Sequence, residues 1–512
     1  MTSHDQAVHA SPRAAIAVPP ADFRRAGHWL VDAIAEFLES LPDRPLTTPA
    51  SPAELRRVLH ADRALPEDGG AMEPLLASAA QLLFEHSLFN GHPRFFGYIT
   101  SSPAPIGMLA DLLAAAVNPN VGARQLSPMA TEIETQAVRW VAELIGYPTP
   151  TGGLFVSGGN MANIVGLFAA RAAAADWDVR AEGVAAPDAR PLRVYATRET
   201  HTWLQKATDL AGLGTASIRW IPTDGAQRFD ARALRSAINE DRASGALPMM
   251  VVGTGGTVST GAVDPLGEIA AICREEGIWF HVDGAYGALA AAVSGTSPDL
   301  KHLSEADSVA VDPHKWLYMP MEAGCVLVRD AEALRNAFAY HPPYYHFGEP
   351  ALNYVDYGPQ NSRGFRALKV WLALQQAGRS GYVQMMREDI RLSQRFHRLV
   401  GEHPELEALT QQLSINTFRY IPPKLRERRA DPDTAAYLNT LNQKLLDRIQ
   451  VSGEAFVSNA VVDGQYLLRA CIVNFNTTEA DIEAMPEIIA RLGREAHAEL
   501  HAAGSGAGAG TS

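Results

Sequence analysis

The sequence predicts an α/β protein with a mostly parallel central sheet, a smaller C-terminal α+β domain and an N-terminal arm of helices. Three observations predict it. From about residue 105 to 376, short apolar runs alternate with helical patterns, as in a parallel sheet covered on both faces. From about 377 to 498 the pattern becomes a long helix, short alternating strands and a final helix. Between 21 and 104, apolar residues recur at three- and four-residue steps, as on helices.

Taken in order, residues 1–20 are rich in Ala, Pro and His and read as a disordered N-terminus. Phe23, Trp29, Leu30, Ile34 and Phe37 give residues 21–41 a helical stripe, and two further helical patterns follow near 52–60 and 72–89. The large domain, 105–376, carries expected strands at Leu154–Val156, Val194–Ala196, Ile218–Ile221, Met249–Gly253, Trp279–Asp283, Ser308–Val311 and Gly324–Arg329. In the small domain, 377–498, a helix is expected at Tyr382–Gly401. Strands are expected at Ser414–Tyr420, Ala455–Asn459 and Tyr466–Val473, and a last helix at Glu479–Leu492. Residues 499–512 form a Gly/Ala/Ser tract and read as a flexible tail.

Composition narrows the function classes. A chain of 512 residues, 47% hydrophobic and 20% charged, supports a large core. A formal net charge of −13 argues against nucleic acid as the main partner. No apolar run approaches the roughly 20 residues of a membrane span, and Met1–Pro20 lacks the basic-then-apolar pattern of a secretory signal. Cys273, Cys325 and Cys471 form no CxxC pair and no metal spacing. They read as structural thiols, which suits a reducing cytoplasm.

The chemistry concentrates in two segments. Residues 308–318 read Ser-Val-Ala-Val-Asp-Pro-His-Lys-Trp-Leu-Tyr, which places Lys315 just past an apolar strand. Upstream, Phe280-His281-Val282-Asp283-Gly284-Ala285-Tyr286-Gly287 places Asp283 at the end of another. Alone, an aspartate there could cap a helix and a lysine could snorkel. Together, at the carboxyl ends of two strands of an α/β sheet, they fit a pyridoxal phosphate (PLP) site. Lys315 would form the Schiff base as a neutral, desolvated amine. Asp283 would keep the ring nitrogen protonated through a charge-assisted hydrogen bond, about 1.5–3 kcal/mol as a class. Ala285 is small enough to lie under a flat ring.

Other segments are weaker alone. Gly153 to Asn160 is a strand running into a glycine-rich turn that opens a helix, a place where backbone amides can hold phosphate. The turn matches neither GxGxxG nor a Walker loop, and Phe155 occupies the first glycine position of a GxSxG. In Thr200-His201-Thr202-Trp203, His201 follows a strand and could stack on a cofactor ring or move protons. Thr254 could bond the cofactor or cap a turn. His341-Pro342-Pro343-Tyr344-Tyr345-His346-Phe347-Gly348 could be a mobile loop that delivers a tyrosine. Its two histidines find no third ligand, so no metal site is expected.

As a set, these motifs resemble the group II PLP-dependent decarboxylases, the family of aromatic-L-amino-acid, histidine and glutamate decarboxylases. Asp-Pro-His-Lys-Trp at 312–316 and His-Val-Asp-Gly-Ala-Tyr at 281–286 carry the likeness most specifically. It runs from about Phe23 to Leu492. The resemblance implies a type I PLP-dependent fold, similar to aspartate aminotransferase. It also implies a homodimer with sites at the interface, with residues 21–104 wrapping the partner.

Position by position, Lys315 resembles the Schiff-base lysine, Asp283 the pyridinium partner, Ala285 the residue under the ring and His201 the histidine stacked above it. Gly158, Gly159 and Asn160 resemble the phosphate turn, flanked by His314. Tyr344, or its neighbour Tyr345, resembles the loop tyrosine that protonates Cα. His92–Tyr98, with Phe96 and Tyr98, resembles a segment that lines the substrate pocket.

Three departures stand out. Asp312 replaces a frequent Asn and is expected to point away from phosphate or to bond backbone amides. Val121–Leu126 lacks the aromatics of the aromatic decarboxylases and carries Arg124, placed to meet a polar or acidic substrate. Met321 stands where those enzymes often have Phe. The implied activity is decarboxylation of an L-amino acid, aromatic by default, to its amine through a Lys315 aldimine. The alternatives are oxidative deamination to an aldehyde, or a polar substrate such as glutamate or 2,4-diaminobutyrate.

Overall fold

The computed structural model describes residues 14–341 and 352–507. The large domain is built on strands β1 (Gly152–Val156), β2 (Leu192–Thr197), β3 (Ile218–Ile221), β4 (Leu247–Thr254), β5 (Trp279–Asp283), β6 (Ser308–Val311) and β7 (Gly324–Val328). Each lies within a residue or two of its expected limits. They form one sheet in the order β1-β7-β6-β5-β4-β2-β3. Neighbours from β3 across to β6 run parallel, and β7 is antiparallel to both β6 and β1. β1, β6 and β7 are buried along their whole length, which explains their unbroken apolar sequences.

The small domain is an antiparallel sheet of β8 (Leu406–Gln412), β9 (Ile415–Tyr420), β10 (Ser458–Val462) and β11 (Gln465–Cys471), in the order β10-β11-β9-β8. Its core packs Leu392, Phe396, Phe418, Leu445 and Leu468, each side chain contributing roughly 1.5–3 kcal/mol by leaving water.

Several boundaries differ from expectation here. β8 was not expected, because an edge strand reading Leu-Glu-Ala-Leu-Thr-Gln-Gln is half-exposed and alternates weakly. The helix Pro432–Ser452 was also missed. β10 starts at Ser458 rather than Ala455, since Phe456 instead bridges to Phe95 of the N-terminal region. The long helix runs Ala367–Glu402, bending at Gly378, and so spans the boundary expected near 377. The last helix runs Glu479–Ala507, so the part of the expected flexible tail that is described is helical.

The arm comprises helices Pro20–Ser40, Pro52–Leu59 and Met72–His86. They leave Phe23, Leu59, Leu75 and Leu83 exposed. Among the described residues, no helix is long and apolar enough to cross a membrane.

Candidate active site

Asp283 ends β5 and Lys315 sits in the helical turn Pro313–Trp316 that follows β6, so adjacent parallel strands deliver both to one edge of the sheet. The Asp283 carboxylate is buried. Its Oδ2 accepts the Trp203 indole N–H at 2.8 Å, and its Oδ1 accepts the Ala285 backbone N–H at 3.2 Å. Thr254 is the register partner of Asp283 on β4, and its buried Oγ1 has no hydrogen-bond partner among the described residues. The same holds for Thr200 Oγ1.

His201 Nδ1 accepts the Trp203 backbone N–H at 3.2 Å. Loss of hydration lowers the imidazole pKa from its ordinary value. Nearby Asp283 opposes that shift and Lys315 adds to it. A neutral ring whose Nδ1 accepts this bond carries its proton on Nε2.

On the other side of the site, Gly158 caps the helix Gly159–Ala174 at φ +122°, a backbone region that favours glycine. Gly324 packs against it so closely that a Cβ would strike the Gly158 backbone. A Cβ on Gly159 would come within 2.9 Å of Ala285 Cβ. Glycines thus keep open a concave turn of backbone amides at a helix start, next to Ala285. His314 lies beside this turn, its Nδ1 2.8 Å from the Ala323 carbonyl oxygen, and its own carbonyl accepts Ser101 Oγ–H at 2.8 Å.

Asp312 corrects an expectation. Its carboxylate neither points away nor bonds backbone amides. Oδ2 faces Gly159 and lies 3.3 Å from Lys315 Nζ, while buried Oδ1 lies 3.6 Å from His314 Nδ1 and has no hydrogen-bond partner among the described residues. The helical turn begun by Pro313 sets residue 315 one turn above residue 312, so the lysine Nζ and not a backbone amide reaches the acid.

The expected pocket residues scatter. The Phe96 ring is buried in the small-domain core and its backbone bonds Phe456 and Cys471. Tyr98 is exposed, and its carbonyl accepts Arg469 Nη1–H. Arg124 Nη2 lies 2.9 Å from Glu132 Oε1 in a half-exposed pair. Met321 is exposed on a different cavity edge, with Asp111 and Lys369. Asn160 is exposed at the helix start. Tyr344 and Tyr345 lie outside the described residues. A cavity of about 530 Å³ at the opposite edge of the sheet, by Trp279, Asp307 and Arg329, shares none of these residues.

The arrangement fits PLP: a covalent anchor at Lys315, a buried acid for the ring nitrogen, a glycine cradle for phosphate, and unpartnered threonine hydroxyls at the strand ends. Trp203, His281 and Gly324 stand in the sequence motifs and strands without a role of their own, and the structure places each at the site. The period of two along β5 puts His281 on the face of Asp283, a signal that could have found it.

The pyridoxal-dependent decarboxylase conserved domain matches residues 52–421. The chain is 33% identical to an aromatic-L-amino-acid decarboxylase of Bacillus atrophaeus, over 90% of this chain and 93% of that protein. It is 30% identical to a phenylacetaldehyde synthase of a Rosa hybrid cultivar, over 92% and 93%. The structure of Oryza sativa TDC with PLP and tryptamine superposes with a TM-score of 0.86 at 28% identity, covering 93% of this chain and 99% of that one. Fold, site and relatives agree: the chain belongs to the pyridoxal-dependent decarboxylase family and is a PLP-dependent amino-acid decarboxylase.

Proposed function

We propose that the substrate is an aromatic L-amino acid, released as its amine and CO2. The carrying observation is the joint delivery of Asp283 and Lys315 to one sheet edge, beside the glycine turn at 158–159. The Bacillus aromatic-L-amino-acid decarboxylase supports the substrate class. PLP, when bound, supplies a protonated ring that accepts the electrons left at Cα as CO2 departs. Lys315 would hold the cofactor covalently and release it to the substrate amine. Asp283 would keep the ring nitrogen protonated. The amides of Gly158–Asn160 and His314 would hold the phosphate end. His201 would cover the ring, and Tyr344, or its neighbour Tyr345, would return a proton to Cα.

Aldehyde formation is the second reading, favoured by the phenylacetaldehyde synthase relative. Tyr344 speaks for the amine, because the loop tyrosine is typically replaced in the aldehyde-forming enzymes. The working unit is a homodimer. The apolar exposure of Phe23, Leu75 and Leu83 on the arm and of Leu109, Leu112 and Leu113 on the helix Pro105–Val117 supports this. The three buried free cysteines suit a cytoplasmic setting.

The test is CO2 release by the PLP-loaded protein against all common amino acids, dopa and 2,4-diaminobutyrate, with product mass spectrometry and a peroxide readout. An aromatic amine with equal CO2 and no peroxide is expected. Aldehyde with peroxide would replace this reading, and turnover confined to acidic substrates would end the aromatic assignment.

A further inference from the structure

Trp203 sits between two groups of the candidate site. Its backbone N–H donates to His201 Nδ1 and its indole N–H donates to Asp283 Oδ2. The side chain is fully buried, among Leu204, Val194, Ile164 and Met250. Its indole meets the His281 ring edge-on at 5.8 Å and 73°.

His281 is itself fixed. Its Nε2 lies 2.7 Å from Asn163 Oδ1 and its Nδ1 2.7 Å from Ser308 Oγ, which also accepts the Trp279 indole N–H at 2.8 Å. One tautomer satisfies all four groups: Nε2–H donates to Asn163, and Nδ1 accepts the Ser308 hydroxyl. Burial lowers the pKa of His281 to about 4, so the ring is neutral. The helix Gly159–Ala174 closes the stack, because at Gly166 a Cβ would come within 2.9 Å of the His281 ring. Nothing in this stack can turn without stranding a buried donor or acceptor.

We propose that Trp203 is a positioning residue for the cofactor. It orients the Asp283 carboxylate toward the ring nitrogen and, through its own backbone, sets the tautomer of His201. The proposal rests on the PLP reading of this site. A carboxylate oxygen has two lone pairs. The indole takes one on Oδ2 and the Ala285 amide takes one on Oδ1, which leaves one open on each oxygen. Without the indole N–H, one oxygen of a buried acid loses its charge-assisted bond and the carboxylate is free to rotate.

The test is a comparison of two cofactors on apo-protein. One is PLP, and the other is its analogue with C–H in place of the ring nitrogen, which gives Asp283 nothing to bond. Trp203→Phe should raise the PLP dissociation constant roughly tenfold, the scale of a hydrogen bond to a charged group, and leave the analogue's unchanged. Equal weakening of both, or of neither, would overturn the proposal and leave Trp203 as packing. If Trp203→Phe does not fold, ¹⁵N-indole spectra of the wild-type protein decide. One indole N–H should shift with PLP and stay still with the analogue, and no such difference would overturn the proposal. Wild-type protein that takes up no PLP would overturn the cofactor reading as well, a result distinguishable from either.

Discussion

Two buried aspartates flank the lysine turn, and each accepts an indole N–H. Asp283 takes it from Trp203 at 2.8 Å, and Asp389 takes it from Trp316 at 2.9 Å. They differ in what else they bond. Asp389 Oδ2 also accepts the Tyr318 hydroxyl at 2.7 Å, and the backbone N–H of Asn474 bonds the same carboxylate. One acid thus ties the lysine turn to the long helix and to the chain beyond β11. Asp283 has one further partner, the Ala285 amide, and lies beside the unpartnered Thr254 hydroxyl. A carboxylate saturated by its own protein is a structural node. One with open lone pairs at a strand end can act on something that binds there. Burial raises the Asp389 pKa to about 7, outweighing its three hydrogen bonds.

The widest gap between the two regions should appear with Lys315→Ala, which removes the proposed covalent anchor. We expect no measurable CO2 release and an unchanged melting temperature for the apo-protein; full retained turnover would end this account of the site. Next comes Asp283→Asn, with kcat lower by about 10²–10³-fold, the scale of losing one preorganised electrostatic group, and little change in stability. A variant that melted early while retaining kcat would make Asp283 another structural node and erase the contrast.

Asp389→Asn should do the reverse. Activity at its optimum persists, while stability falls by about 1–3 kcal/mol as buried donors lose part of their acceptor. The pH dependence sharpens the point. The folded-state pKa of Asp389, about 7, lies above its ordinary value of 3.8. The folded state therefore binds this proton more tightly, and the stability it contributes is full below pH 4 and lost as pH rises toward 7. Asp264, also raised to about 7 by burial, acts in the same sense. The slope of melting temperature between pH 5 and 8 should therefore be shallower in Asp389→Asn than in the wild type, with the Asp264 part remaining. Identical slopes would remove Asp389 from the account.

The smallest effect belongs to Arg124→Ala. The half-exposed pair with Glu132 contributes about 0–1 kcal/mol, so melting should scarcely move. KM should rise only for an acidic or polar substrate, and an unchanged KM for such a substrate would remove Arg124 from the pocket.

The large domain was legible because strands such as β1, β6 and β7 are buried along their whole length and read as unbroken apolar runs. The motif residue Asp283 ends β5, and Lys315 follows β6. The small domain was less legible, since an exposed edge such as β8 has little pattern to find. Phe96 shows another limit. An aromatic beside a conspicuous motif reads as pocket lining, yet a backbone pairing with Phe456 and Cys471, remote in sequence, draws it into a core.

By itself the sequence determined the α/β class and the order of the large-domain strands along the chain, and it marked the two residues on which the proposed chemistry turns, because burial period and strand-end position are local properties. The tertiary structure alone decided that Trp203 donates to Asp283 and that Trp316 and Tyr318 share Asp389. Each of these is a hydrogen bond whose distance and direction depend on how separate elements pack, and local pattern carries no record of that packing.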